Sequence, residues 1–302
     1  MKNLIKMKTT KKRLSKSIPY LLFLLLSTVF LFSSCDSENG VSDEELSASI
    51  LDTASEITEI DDTSENINEI IESAYLEIAT NDYFKSSEYK NNQDKRFLSD
   101  CVIVSKEILD DYIEIILDYG EGCTTKKEHE ASGKIIIHVD LNLETAVVNM
   151  NYTFDNFYIN NKKIEGSVEK KRSRTNESGN PQSYIKRNIK IIWEGGSYAT
   201  INGERIREWT VGKDNDLWGD NVFSITGSSI ITKRNGTVTS LQIKEPLIRT
   251  LACRFIISGV VEIEGNSKTS MLDYGNGECD DLATITNEGI SYEIHINRKK
   301  WH

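Results

Sequence analysis

The sequence predicts a mainly β protein, an antiparallel meander of about six β-hairpin repeats behind a short N-terminal helical segment. Three observations predict it. From Cys101 onward, β-branched and aromatic residues alternate with polar ones, as in IIIHVDL, VVNMNYTF, YIKRNIKIIW, SITGSSIIT and VTSLQI. Glycines that precede strand-like runs recur at Gly133, Gly166, Gly196, Gly227, Gly259 and Gly289, spaced 33, 30, 31, 32 and 30 residues apart. A regular spacing of this size signals a repeat, and two strands with two turns fill it. Third, helical periodicity is confined to residues 49–81. The sheet so built is expected to stay open, to curl, or to pack as a sandwich.

Residues 1–34 read as a lipoprotein signal peptide. Seven basic residues and no acid precede the apolar run Ile18 to Phe32, which is followed by Ser33, Ser34 and Cys35. The run is shorter than the roughly 20 residues a membrane-spanning helix needs. Leu31-Phe32-Ser33-Ser34-Cys35 resembles a bacterial lipobox, with Phe32 in place of the usual small aliphatic residue. The resemblance makes Cys35 the lipidated first residue of the mature chain and outer-membrane lipid its partner. Residues 35–48 form an acidic tether, and DSENGVSDEE resembles the surface-export signals of Bacteroidota lipoproteins. The expected location is therefore the outer membrane, facing the cell surface.

In residues 49–81, Ile50, Ala54, Ile57 and Ile60, then Ile67, Ile70, Ile71, Ala74, Tyr75 and Ile78, recur at helical spacing. Two amphipathic pieces are expected, the second capped at Asp62, Thr63 or Ser64, with acidic faces turned outward. They would cover a sheet or form a stalk. Residues 82–100 read as a linker, and 101–302 as the β-repeat domain.

Charge narrows the partners. The whole chain carries −11, and residues 36–100 hold 18 acids against 4 bases. Without the seven-plus leader the mature chain is near −18. Such a chain repels phosphate backbones, so nucleic acid is not an expected partner. The one basic cluster, KKRSR at 170–174, reads as a solvated hairpin tip.

Beyond Cys35 four cysteines remain, Cys101, Cys123, Cys253 and Cys279, an even number in an exported chain. That argues for two disulfides. The phrase LDYGEGC (117–123) returns as LDYGNGEC (272–279), at equivalent distances before Gly133 and Gly289. Cys101 lies 22 residues before Cys123, and Cys253 lies 26 before Cys279. Equivalence of the two ends favours Cys101–Cys123 and Cys253–Cys279. Crossed pairing becomes possible if the sheet curls until its ends meet.

The strings LDYGEGC…SGKIII, FDNFYINNKKIEGS, REWTVGKDNDLWGDNVFSITGS, EPLIRTLACRFIISGVVEI and LDYGNGECDDLATITNEGISYEI resemble a family of Bacteroidota lipoproteins over roughly residues 100–296. The resemblance implies the lipobox, the cysteine pattern and the β-rich fold. It implies no activity.

Chemical motifs are weak. Asp214, Asp216 and Asp220 in one loop, and Asp273, Asp280 and Asp281 in another, are calcium candidates, although neither loop has twelve-residue calcium-loop spacing and Asx-Gly turns use the same residues. No zinc-ligand cluster stands out, and His138 and His295 read as polar-face strand residues. Trp193, Trp209, Trp218 and Tyr198 are candidates for a sugar- or peptide-binding platform or for core packing. Asp52-Thr53-Ala54 resembles a short O-glycosylation acceptor. GxSxG, Walker and GxGxxG motifs are absent from the sequence. The leading expectation is a non-catalytic surface binding or structural lipoprotein, acting on glycan or protein, without cofactor. The alternatives are a periplasm-facing carrier of lipid or lipidated cargo and a glycan-processing enzyme.

Overall fold

The structure, a computed structural model, describes residues 43–80, 97–126, 128–140, 147–215, 217, 219–265 and 268–296. The signal peptide, Cys35, the tether up to residue 42 and most of the 82–100 linker lie outside them.

Among the described residues one helix, α1 (Asp43–Thr80), precedes fourteen strands. These are β1 (Ile103–Ile108), β2 (Tyr112–Asp118), β3 (Cys123–Thr124), β4 (Glu130–Asp140), β5 (Val147–Ile159), β6 (Lys162–Ser173) and β7 (Gln182–Ile192). There follow β8 (Tyr198–Val211), β9 (Val222–Thr232), β10 (Val238–Thr250), β11 (Ile256–Gly265), β12 (Lys268–Asn276), β13 (Leu282–Asn287) and β14 (Ile290–His295). All pair antiparallel in chain order within one open sheet, except that the short β3 extends the β2 side of β4. The predicted meander is what forms, and the sandwich alternative is not.

Alternation explains the strands. In β7, Ser183, Ile185, Arg187, Ile189 and Ile191 are buried, and the residues between them are less so. The same two-residue period runs through β8 and β9. One face of the sheet therefore looks inward, and α1 lies against it, touching β8 as well as β13 and β14. Every residue from Asp61 to Ala74 is buried, so the helix is enclosed on all sides over nearly four turns. The expectation of two helical pieces is corrected: the chain runs through Asp62, Thr63 and Ser64 without a break. Asp62 accepts a hydrogen bond from Asn66 one turn on, and Thr63 donates to the Glu59 carbonyl. These side chains are satisfied inside the helix and do not act as caps.

The glycine period has a physical basis, but not the expected one. Gly133, Gly166, Gly227 and Gly259 lie inside β4, β6, β9 and β11, with positive φ. Gly196 and Gly289 lie instead in hairpin turns. At Gly166, φ is 111° and an added Cβ would stand 2.1 Å from the Asn188 carbonyl oxygen on β7. At Gly227, φ is 130° and the Glu204 oxygen on β8 would be 2.2 Å away. Only a residue without a side chain lets neighbouring backbones approach this closely and bend. Glycine kinks of this kind introduce curvature into a sheet, and here the curvature brings strands around a helix.

The repeated LDYG phrase is a turn. Asp118 Oδ1 accepts from the Gly120 amide at 2.8 Å, and Asp273 Oδ1 accepts from the Gly275 amide at 2.9 Å. Each Asx turn leaves the tyrosine between them inward, with Tyr119 3% and Tyr274 4% exposed. Each is followed by a disulfide, Cys101–Cys123 and Cys253–Cys279, which are the pairings favoured by the equivalence of the ends. Closing loops of 22 and 26 residues stabilises the fold by about 3 kcal/mol apiece through the unfolded chain.

Replacing Gly166 with alanine should lower the unfolding free energy by about 2–3 kcal/mol, because strain and a backbone clash add. Gly236→Ala, in a hairpin turn with open space around it, should cost only about 1 kcal/mol. Urea denaturation followed by circular dichroism measures both, and equal losses would refute the kink explanation.

Candidate functional site

The interior between α1 and the sheet holds the densest polar cluster among the described residues. On the helix, Asp61, Glu65, Glu69 and Glu72 follow one another at intervals of four, four and three, forming one stripe opposite the isoleucine face. On the sheet, inward positions that alternation would fill with aliphatic residues carry Lys170 and Arg172 on β6, Arg187 on β7, Arg205 and Arg207 on β8, and Arg249 on β10. All of these side chains are buried.

The two rows meet as ion pairs. Asp61 takes Arg205 at 2.6 and 2.8 Å and Arg187 at 3.1 Å. Glu65 accepts from Arg205 at 3.0 Å and Arg187 at 3.2 Å, with Arg207 at 3.6 Å. Glu69 pairs with Arg249, which also donates to Asn66 Oδ1 at 3.0 Å and faces Asp62 at 3.6 Å. Glu72 holds Lys170 at 2.6 Å and Arg172. Cation–π contacts complete the seam, with Arg207 4.0 Å above Phe223 and Arg172 4.5 Å above Tyr75. Toward the ends of α1, Glu56 pairs with Arg234 at 3.0 Å, and Glu77 accepts from the Phe97 and Leu98 amides.

These partners govern the charge states. Burial alone would raise the Glu72 carboxyl, but Arg172 and Lys170 outweigh it and hold it well below the usual carboxylate range. Asp61 is likewise held down, because Arg205 and Arg187 overcome its burial. Arg205 is raised against burial by Asp61 and Glu65. Arg187 is lowered by burial and by the neighbouring charge of Arg205. Burial also lowers Lys170, against the pull of Glu72. Such groups are locked to one another, which suits them to hold α1 in place and not to shuttle protons.

Two sequence expectations are overturned here. The acidic face of the helix does not point outward; it is buried like the isoleucine face, and the sheet neutralises it. KKRSR is not a solvated tip as a whole, since Lys170 and Arg172 point inward to Glu72 while Lys171 between them is exposed. Alternation along β6 explains the split.

The remaining candidates are dispersed. Cys35 and Asp216 lie outside the described residues. Asp214 is exposed. Asp220 accepts from Asn215 at 2.6 Å, Asp273 serves its Asx turn, Asp280 accepts from the Leu282 amide, and Asp281 pairs with His295 at 3.0 Å. Among the described residues no group of three or more His, Cys, Asp or Glu side chains is arranged to hold a metal. His138 pairs with Glu114 at 3.0 Å across β2 and β4, the counterpart of His295 and Asp281 at the other end. The two described tryptophans form no common platform: Trp193 donates to Glu59 on α1 and Trp209 packs beside Phe223, while Trp218 lies outside the described residues. Tyr198 is exposed beneath Lys190.

Sequence reasoning missed the seam. The signal was present, as charged residues at inward strand positions opposite an acidic helical stripe. Compared with protein-family models, with curated proteins and with solved structures, the chain matches none.

Glu72→Gln should lower stability by about 3–5 kcal/mol, since Lys170 and Arg172 lose their counter-charge while staying buried. The triple replacement of Glu72, Lys170 and Arg172 by methionine should be milder than Glu72→Gln. Chemical denaturation of the two variants decides, and the reverse order would refute the account.

The seam also fixes an acid sensitivity. Asp61 and Glu72 titrate lower in the folded chain than in the unfolded one. Their contribution is complete above the ordinary carboxylate range near pH 4 and is lost as pH falls through that range toward their depressed folded values. Thermal melts from pH 7 downward should show a falling Tm that begins near pH 5 and steepens below pH 4.

Proposed function

We propose that the chain is a lipid-anchored, non-catalytic lipoprotein of the outer membrane, facing the cell surface, that works by binding on a rigid self-filled scaffold. The observation that carries this reading is the occupation of the sheet's inner face by α1 through paired, buried charges. The interior carboxylates available as acid and base are paired with arginine and lysine, so the chemistry of the interior is cohesive. A lipid carrier would have to expel α1 and leave six or more charges unpaired in an apolar interior, at a cost of several kcal/mol for each ion.

The anchor rests on the sequence around Cys35 and on acyl-chain energetics. Each buried methylene gives about 0.8 kcal/mol, so more than one chain holds a folded domain durably at a membrane. The acidic residues after Cys35 support the outward face.

In the native organism, metabolic labelling with a fatty-acid analogue should mark the wild-type protein and not Cys35→Ser. Protease treatment of intact cells should then remove the labelled protein while a periplasmic control survives. Protection in intact cells, with digestion only after lysis, would overturn the surface location.

A further inference from the structure

A cleft of about 220 Å³ lies beside the N-terminal half of α1, away from the arginine seam. Its apolar wall is made by Ile50 and Ala54 of the helix with Ile263 of β11 and Ile285 of β13. Lys233, in the β9–β10 turn, enters from one side, and the exposed Lys268 stands at another. Thr237, Thr239 and Ser270 also line it and carry hydroxyls.

Lys233 is the unusual member. Its side chain lies in a residue only 6% exposed, yet no carboxylate among the described residues lies within ion-pair distance of it. Its ammonium donates to Thr53 Oγ1 at 3.0 Å, and an ammonium has three donors. The position is fixed, because the next residue, Arg234, is tied to Glu56 on the helix. Every other buried lysine or arginine of the inner face has an acid partner within 4 Å. A buried cation without a counter-charge is costly, and an anion arriving beside it removes that cost.

We infer that this cleft binds a small amphiphilic carboxylate, an organic acid whose carboxylate sits between Lys233 and Lys268 and whose short apolar body lies on Ile50, Ala54, Ile263 and Ile285. The mixed lining selects this class. Inorganic phosphate would satisfy the lysines and leave most of the 220 Å³ beside the apolar wall unfilled, and a neutral apolar molecule would fill it without meeting the lysines. The volume exceeds the roughly 150 Å³ that accepts benzene in an engineered cavity, which leaves room for a ring and a carboxylate. Thr53 is half-buried in this wall and engaged by Lys233, so a sugar on the Asp52-Thr53-Ala54 acceptor would compete with the same ligand. The inference rests on the binding role proposed above and names a ligand class for it; it does not depend on which side of the membrane the protein faces.

The test is calorimetric titration of the full lipidated protein in phospholipid nanodiscs, with empty nanodiscs as blank, using benzoate, benzamide and inorganic phosphate as probes. Benzoate is expected to bind saturably, and to bind about tenfold or more tighter than either of the others. Lys268→Gln, at an exposed position that folding tolerates, should weaken benzoate about threefold, and Lys233→Met by about tenfold or more. Equal binding of benzamide would overturn the role of charge, and equal binding of phosphate the role of the apolar wall. No saturable benzoate binding at millimolar concentration, or binding indifferent to Lys268→Gln, would overturn the site. Each of these failures leaves the fatty-acid labelling and protease results untouched, so the ligand class and the surface-lipoprotein reading fail separately.

Discussion

An acidic helix stripe pressed into a row of guanidinium and ammonium groups, away from water, is the interaction on which the rest of this structure depends. Removing one partner leaves a buried charge, so both rows have to be present and in register. Hydrophobic residues of similar size would hold the helix at least as strongly. What ion pairs add is position. Asp61 and Glu65 each take Arg187 and Arg205, while Glu72 takes Lys170 and Arg172 a turn and more further along, so rotation or sliding of α1 breaks several contacts together.

The sheet is shaped to meet that demand. A flat sheet would touch a helix along one or two strands. Here the partners of α1 come from β6, β7, β8 and β10, with β13 and β14 closing on it as well. Kinks at Gly166 in β6 and Gly227 in β9 place the bend within the strands that span the cationic row. The two Asx turns at Asp118 and Asp273 then tuck Tyr119 and Tyr274 into the interior near either end of the meander, and burial raises both phenols well above their ordinary value. Tyr152 joins them, its hydroxyl donating to Asn68 on the helix at 3.4 Å.

A fold that fills its own concave side separates scaffold from recognition. The seam spends its charged groups internally, whereas the cleft at Lys233 keeps one charge in reserve. That contrast distinguishes them: both hold buried cations beside the same helix, but among the described residues Lys233 has no carboxylate within ion-pair distance. The acidic balance of the chain is also clarified. Much of the negative charge in α1 is neutralised by the sheet, so the sum over the helix overstates what its surroundings feel.

Much of this was legible in the chain. Alternation over β4 to β11 fixed strand identity and order, because one buried face forces a two-residue period. The glycine spacing, the duplicated LDYG phrase and the cysteine intervals pointed to repeated hairpins with matched disulfides near the ends. These are local or regularly spaced signals, and they survive without coordinates. The acidic face of α1 was misjudged because helical periodicity says which residues share a face, and solvent is the default assumption for a charged one. Lys170, Arg172, Arg187, Arg205 and Arg249 were overlooked for the same reason: their inward strand positions were a signal, but each reads as a surface residue until the partner strand or helix is placed. Whether a charge is exposed or paired depends on groups about 100 to 180 residues away in sequence. The sequence by itself determined the strands and turns. Only the tertiary structure decided that the acidic face of the helix was buried along with its isoleucine face, since the pairing energy that makes burial possible arises between segments and belongs to neither alone.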